Sequence, residues 1–186
     1  GFRSVQRLTE EMLCCTRCEL APTRTQVVRG VGAARPRVLF LGEAPGAKED
    51  EAGEPFVGSA GRLLGRLLEQ AGLSRQDVYI TNVVACRPPK NRTPRVSEVK
   101  AHAPWLEEQL RLARPEVVVT LGRVALTWFM PKAKVTELTG RPQEIAWGGG
   151  TMRLLPLFHP AAALRSPDLV PVLEEGFEAL RRMLAD

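Results

Sequence analysis

Four short apolar runs, separated by segments with helical periodicity, limit most strongly what this chain can fold into. The runs are rich in valine, leucine and isoleucine, and they are RVLFLG (37–42), DVYITNVV (77–84), EVVVTLG (116–122) and RLLPLFHP (153–160). Strands that are apolar on both faces and alternate with helices favour a mainly parallel sheet with helices on both sides. Because ligands of such sheets bind at the carboxyl ends of the strands, we expect the functional residues there.

Two of the intervening segments predict helices. In SAGRLLGRLLEQAG (59–72), the leucines recur at a spacing that puts them on one helical face. VSEVKAHAPWLEEQLRLA (96–113) predicts a longer helix that begins near Ser97. This helix is expected to be disturbed at Pro104, because a proline removes a backbone donor from the helix interior.

Length and charge narrow the class of protein. A chain of 186 residues, of which 44% are hydrophobic, is long enough for one core and short for two domains, so residues 1–186 are expected to form a single domain. No apolar run approaches the roughly 20 residues of a membrane span. The charged start GFRSVQRLTE lacks the apolar part of a signal peptide, so we expect an intracellular protein. The net charge of +5 favours a polyanionic partner.

The glycine-rich segment after the first run has the shape of a phosphate-binding turn without its chemistry. GEAPGAKEDEAGEPFVGSAG (42–61) lacks the lysine of the GxxxxGK[ST] pattern. It also carries five acidic residues against one lysine: Glu43, Glu49, Asp50, Glu51 and Glu54, with Lys48. The segment therefore disfavours an anionic ligand.

The cysteines suggest a metal site. CCTRC supplies Cys14, Cys15 and Cys18, whereas Cys86 follows the second predicted strand and His102 lies 16 positions further on. An intracellular domain with a core of this size is not expected to depend on disulfides. A set of three cysteines and one histidine suits zinc, and thiolates with a histidine also hold iron–sulfur clusters. The spacing alone does not choose the metal.

Four ordered motifs resemble those of family 4 uracil-DNA glycosylases, the iron–sulfur branch of the uracil-excising superfamily. They are the N-terminal CxxC, GEAPGAKEDEAGEPFVGSAG, YITNVVACRPPKNRTP and FHPAAALRSP, and they span the chain from Cys15 to about Pro167. The resemblance implies a three-layer α/β/α fold with a four-stranded, mainly parallel central sheet, and a 4Fe-4S cluster. It also implies a base excision repair enzyme that hydrolyses the N-glycosidic bond of uracil in DNA, leaves an abasic site and does not cut the strand.

The resemblance assigns roles to residues of the predicted site. A flipped uracil is read by its pairing edge and by stacking. We expect Phe56 to stack on the ring and the Asn82 amide to pair with a carbonyl and the ring N–H. His159 is expected to stabilise negative charge on a uracil carbonyl as the bond breaks. Glu43 is expected to position the base or the attacking water.

Four further positions complete the predicted pocket. Gly42 and Gly46 allow the backbone to approach the base closely. Ala44 stands where the best-known relatives carry an aspartate, so no strong general base is expected there. Gly46 replaces a tyrosine that excludes the thymine methyl in those relatives, and Glu49 is the expected substitute barrier.

Two segments are expected to contact DNA. CRPPKNRTPR supplies Arg87, Lys90 and Arg92 after a cysteine of the metal set, in a position to bind phosphates. Leu164 and Arg165 follow the fourth predicted strand. A wedge there can fill the gap that the flipped base leaves.

The fourth cluster ligand is where this sequence departs from the family. The family has a cysteine about sixteen residues after the third ligand, and His102 occupies that position here. We therefore expect Cys15, Cys18, Cys86 and His102 to hold the cluster. In the alternative, Cys14 replaces His102, but side chains of adjacent residues diverge, which disfavours two neighbouring ligands.

Other functions stay open at the level of sequence. The chain can be a catalytically silent iron–sulfur module that binds DNA, or a small nucleotide hydrolase whose acids hold magnesium. A relative that bonds covalently to DNA through a histidine after Cys86 is disfavoured, because RPPKNRTP contains no histidine. The expected partner is uracil-containing DNA rather than a membrane, bound by a monomer associated with the nucleoid.

Overall fold

The computed structural model describes residues 2–185 and contains a six-stranded mixed sheet. The strands are β1 (Val31–Gly32), β2 (Val38–Gly42), β3 (Tyr79–Asn82), β4 (Val117–Leu121), β5 (Gln143–Trp147) and β6 (Gly150–Leu157). Their order across the sheet is β1–β3–β2–β4–β6–β5. Within the sheet, β3, β2, β4 and β6 are parallel to one another, whereas β1 and β5 pair antiparallel at its edges.

Eight α-helices accompany the sheet in the described residues. They are α1 (Val5–Met12), α2 (Ala47–Ala52), α3 (Ser59–Gln70), α4 (Val96–Ala113), α5 (Arg123–Phe129), α6 (Val135–Leu138), α7 (Pro160–Arg165) and α8 (Leu169–Ala185). A short 3₁₀ turn covers Pro89–Asn91. Among residues 2–185, no helix combines the length and the apolar character that crossing a membrane requires.

The sheet has six strands rather than the expected four. The four apolar runs form its parallel centre, and the two added strands are edge strands. β1 contains two residues, and β5 alternates half-buried and exposed side chains. β5 pairs with β6 through the tight turn at 147–150. Neither edge segment has an apolar run, and for that reason the sequence predicts neither strand.

Two predicted boundaries also differ from the structure. β3 ends at Asn82, before the end of the predicted run at 77–84. Helix α4 begins at Val96 and runs through Pro104 without the expected interruption. The helix is buried on both sides of the proline, at His102 and at Trp105, so tertiary packing holds the two halves in line.

Alternate residues of the central strands face two separate cores. In β2, Leu39 and Leu41 belong to the core that contains residues of α1, α4 and α5. Val38 and Phe40 belong to the opposite core, with residues of α3 and α8. Each fully buried leucine or phenylalanine contributes roughly 1.5–3 kcal/mol by leaving water, so both faces of the sheet hold the helices in place.

The carboxyl ends of the parallel strands bring four polar or glycine positions to one edge. Gly42 and Asn82 are paired at the ends of β2 and β3. Gly122 follows β4, and its N–H donates to the Leu157 carbonyl at the end of β6 (2.9 Å). His159 lies two residues beyond that carbonyl. This edge of the sheet is where the candidate site forms.

Candidate functional site

A broad groove and a small recess lie at this edge of the sheet. The groove has a volume of about 540 Å³, and the recess one of about 40 Å³. Ala44, Glu49, Ala60 and His159 line both, so the recess opens from the groove. The structure therefore offers a wide surface for an extended ligand and, beside it, a small recess lined by Phe56, Asn82 and His159.

Phe56 forms one wall of the recess and is held in an unusual conformation. Its backbone φ is +53°, a left-handed value that costs about 1–3 kcal/mol for a residue with a side chain. The backbone carbonyl of Phe56 accepts a hydrogen bond from Arg75 (2.9 Å), and the neighbouring Pro55 carbonyl accepts a second one (2.8 Å). A Cβ on Gly42 would collide with the phenyl ring, and a Cβ on Gly61 would collide with the Phe56 carbonyl. The ring is therefore fixed where sequence analysis expects a stacking surface.

Asn82 supplies a polar edge to the same recess. Its side chain is 6% exposed, and the Oδ1 atom is buried without a hydrogen-bond partner. A buried acceptor without a partner costs about 1–3 kcal/mol, so its presence indicates a ligand with an N–H or O–H group. Gly42 makes room for this oxygen, because a Cβ there would collide with it.

His159 faces Phe56 and is held as a neutral imidazole. The two ring centroids are 5.4 Å apart, and the planes lie at 23°. The His159 Nδ1 atom accepts a hydrogen bond from the Ala161 N–H (3.0 Å). Burial, together with the positive charge of Arg165, lowers the pKa of His159 to about 4. A neutral ring with Nδ1 as acceptor carries its proton on Nε2, which is then available as a donor.

Glu49 lines the recess, but its carboxylate accepts hydrogen bonds from the backbone. Oε1 accepts from the Gly46 N–H (3.1 Å), while Oε2 accepts from the N–H groups of Val57 (3.0 Å) and Gly58 (2.8 Å). Glu49 thereby joins the turn after β2 to the start of α3. Its predicted role as a barrier to thymine stays a prediction, and the same contacts place Gly46 in the groove wall.

Glu43 lines the groove rather than the recess. Burial raises the pKa of Glu43 above its ordinary value, and the charges of Arg123 and Arg165 oppose this shift. The carboxyl group therefore lies in the groove from which the recess opens, near the two cations. This position suits a group that orients a ligand or a water molecule.

The acidic residues after β2 do not form a magnesium site. The buried Asp50 accepts hydrogen bonds from the Thr25 N–H at 2.9 and 3.2 Å, and Glu49 is used as described. Within residues 2–185, no three acidic side chains converge on one point.

Three of the four predicted metal ligands converge in the structure. The ligand atoms of Cys18, Cys86 and His102 all lie within 4.8 Å of one another. The His102 Nδ1 atom is 2.9 Å from the Glu98 carbonyl, to which it donates, and Nε2 is 4.0 Å from the Cys18 sulfur. Burial lowers the pKa of His102. The imidazole is thus neutral and turns its free nitrogen toward the cysteines, as a metal ligand must.

Cys15 and Cys86 accept hydrogen bonds that suit negatively charged sulfur. The Trp105 Nε1–H donates to Cys15 (3.1 Å), and the Arg24 guanidinium donates to Cys86 (3.2 Å). Burial raises the pKa of Cys86 to about 12, so a bound metal would supply the positive charge that ionises it. Cys14 is exposed. Cys18, Cys86 and His102 therefore fit a thiolate-bound metal group, whereas Cys15 is buried but falls outside this converging set.

Of the expected DNA-binding residues, Arg92 and Arg165 line the groove, and Arg92 also has a partner within the protein. Lys90 is exposed, and Leu164 is 47% exposed. Arg87 donates to the Asn91 Oδ1 atom (2.8 Å). Arg92 instead forms a two-bond ion pair with Glu98, at 2.6 and 3.1 Å. Because the Glu98 side chain is fully buried, Arg92 has a structural partner that its sequence position does not suggest.

The structure adds site residues that sequence analysis missed. Arg75 supports the Phe56 turn, and Asn91 and Arg123 line the groove. Arg75 lies in a connection without a motif, so no local signal identifies it. Asn91 belongs to the KNR stretch of a quoted motif, and Arg123 follows a strand-end glycine. The positions of Asn91 and Arg123 in the sequence could therefore have identified them as site residues.

The chain is similar to known proteins along nearly its full length. Residues 29–186 match the family described as the uracil DNA glycosylase superfamily. The type-4 uracil-DNA glycosylase of Thermotoga maritima is 45% identical over 179 residues, which cover 95% of this chain and 93% of that protein. The corresponding protein of Archaeoglobus fulgidus is 40% identical, with coverages of 96% and 92%. That of Sulfurisphaera tokodaii is 39% identical, with coverages of 97% and 84%. These similarities confirm the resemblance that the four motifs indicate.

Proposed function

The chain belongs to the uracil-DNA glycosylase superfamily, and from that premise we propose that it hydrolyses the N-glycosidic bond of uracil in DNA. The observation that carries the proposal is the recess in which Phe56, Asn82 and His159 converge. The Phe56 ring matches the flat face of uracil. The unpaired Asn82 Oδ1 atom matches the ring N–H, and the neutral His159, as a donor, matches a carbonyl. The products are free uracil and an abasic site.

Recognition of the base follows from the chemistry of these three side chains. The uracil N3–H donates to the unpaired Asn82 Oδ1 atom, and the amide NH₂ donates to the adjacent carbonyl. The base stacks on the Phe56 ring. Cytosine has an acceptor at N3 and an amino group at C4, so it would meet like groups on the amide and be rejected.

Cleavage of the glycosidic bond depends on electrostatic stabilisation of the transition state rather than on a strong general base. As C1′–N1 cleaves, negative charge moves onto the uracil and positive charge onto the sugar. His159 donates its Nε2 proton in a hydrogen bond to the carbonyl that gains charge. Glu43 orients the water whose oxygen bonds to C1′. The cations Arg123 and Arg165 lie near Glu43 and are placed to bind phosphates that flank the uracil.

We propose that Cys15, Cys18, Cys86 and His102 hold a 4Fe-4S cluster. When bound, the cluster supplies a rigid crosslink and no redox step of the reaction. It would join the N-terminal segment, the end of the 77–86 region and helix α4. The loop with Arg87 and Lys90 leaves from Cys86 and returns to α4, so the crosslink would hold these cations toward DNA phosphates.

We propose further that residues 1–186 act as one uracil-DNA glycosylase domain, as a monomer. Its place would be in the cell interior, on the nucleoid, since DNA is the substrate. Leu164, exposed beside Arg165, would fill the gap left by the flipped base. A gap-filling role for Leu164 needs no second subunit.

Incubation with a labelled oligonucleotide that contains one uracil tests the function. Free uracil should appear, and strand cleavage should follow only after alkali, because the recess contains no lysine that forms a Schiff base. A matched oligonucleotide with thymine is the control. DNA binding without uracil release at any salt concentration would leave the silent DNA-binding module as the better account.

A further inference from the structure

A second groove lies beside the candidate active site, between α4 and α5. Its volume is about 510 Å³, and most of its lining side chains are apolar, including Pro94, Val96 and Val99. Val96 is 70% exposed, which is unusual for a large aliphatic side chain. We call it the α4–α5 groove, and Arg123 is its only lining residue with a role in the proposed excision of uracil.

The charges of the α4–α5 groove are all positive. Lys100 and Arg123 are the charged residues that line it, and no aspartate or glutamate does. Both side chains are exposed. Apolar surface beside unopposed cations is the combination that binds single-stranded nucleic acid, in which bases stack and phosphates need neutralising.

The α4–α5 groove meets the broad groove of the candidate site, which we call the catalytic groove. Arg123 lines both, and Thr93 and Pro94 of the α4–α5 groove directly follow Arg92 of the catalytic groove. A strand that leaves the catalytic groove past Arg123 therefore enters the α4–α5 groove. This continuity favours DNA as the occupant over an unrelated partner.

An aromatic side chain in the α4–α5 groove is held by its neighbours. Trp128 lines the groove. Its ring packs edge-on against Phe129, with centroids 4.8 Å apart, and lies 5.4 Å from the Trp147 ring. A ring that is already held loses little conformational entropy when a base stacks on it.

The size of the α4–α5 groove also fits a small occupant. Eleven residues line it, whereas a stable protein–protein interface uses roughly 20–30 residues on each side. Resting on the proposed function, we propose that the α4–α5 groove binds an unpaired nucleotide of the strand that carries the uracil. Bases of an intact duplex are stacked and paired, so the nucleotide that enters is an unpaired one that lies beyond the two nucleotides flanking the uracil.

Uracil release from substrates of two lengths tests this proposal. One is a long single-stranded oligonucleotide with a central uracil. The other is a trimer with uracil in the middle, which contains only the two nucleotides that flank the uracil. Trp128→Ala and Lys100→Glu should each lower kcat/KM on the long strand by about tenfold, as loss of one stacked base or one phosphate contact does. Neither should change release from the trimer. Arg182→Glu on α8 removes the same charge from a residue outside the groove and is the matched control.

Equal losses on the long strand and the trimer would overturn the proposal, as would an unchanged rate on both. A second measurement separates this result from failure of the proposed function. Binding of uracil-free oligothymidine, followed by fluorescence anisotropy, should weaken about tenfold in both groove variants. If no variant or wild-type protein releases uracil while this pattern holds, the function fails and the groove assignment stands. If binding does not change, the groove serves another partner.

Discussion

At the residue scale, the neutral state of His159 decides how this site can act. Its Nδ1 atom is occupied by the Ala161 N–H, so the proton sits on Nε2 and serves as a transition-state donor. We predict that His159→Ala lowers the single-turnover rate by roughly 10²-fold, about 3 kcal/mol. The affinity for uracil-containing DNA should stay within about threefold of the wild-type value. Fluorescence anisotropy measures the affinity, and quench-flow measures the single-turnover rate.

The pH profile provides the control for His159. Because the pKa is lowered to about 4, the ring is neutral at neutral pH and protonates only as the pH falls through that value. The His159-dependent part of the rate should therefore be level above about pH 5 and decline below it. A decline centred near the ordinary histidine value of 6.5 would show that the ring is not held neutral.

Arg75 is a residue outside the recess that we expect to act through Phe56. It donates to the carbonyls of Phe56 and Pro55 and so holds the left-handed turn. We predict that Arg75→Gln lowers kcat/KM about tenfold, about 1.4 kcal/mol, and raises the inhibition constant of free uracil. Arg75→Lys keeps a cation but offers one nitrogen where the guanidinium offers two, and should recover part of the loss.

A double-mutant cycle distinguishes this role from a general loss of stability. If Arg75 acts through the phenyl ring, Arg75→Gln should add little to Phe56→Ala, because the ring is already absent. Fully additive losses, or a fall in Tm that accounts for the lost activity, would contradict the positioning role.

At the scale of elements, the N-terminal turn of α4 joins the basic loop to the proposed metal ligand His102. The buried Glu98 carboxylate pairs with Arg92, while the Glu98 carbonyl accepts from His102. Arg92→Ala would leave a buried carboxylate with the Arg95 N–H alone. We predict a loss of about 3 kcal/mol in the free energy of unfolding, measured by denaturant titration.

Arg95→Ala is the matched control for this ion pair. Arg95 pairs with Glu19, but both side chains are more than half exposed, so the expected loss is below about 1 kcal/mol. The hydrogen bond from Arg92 lowers the pKa of Glu98. The stabilisation by this pair is therefore present above the unfolded pKa of about 4.5 and is lost as the pH falls through the lower folded value. Equal losses for the two variants at neutral pH would contradict the assignment.

The metal ligands give a second prediction at this scale. His102→Ala should lose iron and visible absorption, because Nε2 faces the Cys18 sulfur. Cys14→Ala should keep both, since Cys14 is exposed, whereas Cys15 is buried and accepts a hydrogen bond from Trp105. Metal analysis of both variants beside wild type measures this. Iron retained in His102→Ala and lost in Cys14→Ala would reverse the ligand assignment.

At the scale of the whole molecule, the net charge of +5 should make DNA binding depend on salt. Each lysine or arginine that neutralises a phosphate adds about −0.7 to the slope of log K against log salt for single strands. Lys90→Ala should therefore flatten the slope by about that amount. Arg92→Ala should not, because its guanidinium is engaged with Glu98. Binding titrations at several salt concentrations compare the two, and equal slopes would remove Lys90 from the DNA surface.

The sequence by itself determined the four central strands, helices α3 and α4, and the residue types of the site. These follow from local patterns: apolar runs, helical periodicity and motifs such as GEAPG and FHPAA. A local pattern also led to the superfamily, because four motifs in a fixed order carry that information without coordinates.

Only the tertiary structure decided which side chains are free to act. Asn82 has an unpaired buried oxygen, Glu49 is consumed by three backbone donors, and Arg92 is paired. Cys18 and His102 are 84 positions apart in sequence and meet through the packing of the N-terminal segment on α4. The edge strands likewise exist through pairing with β3 and β6. The physical reason is that hydrogen-bond partners and burial come from distant parts of the chain, which leave no mark in the local sequence.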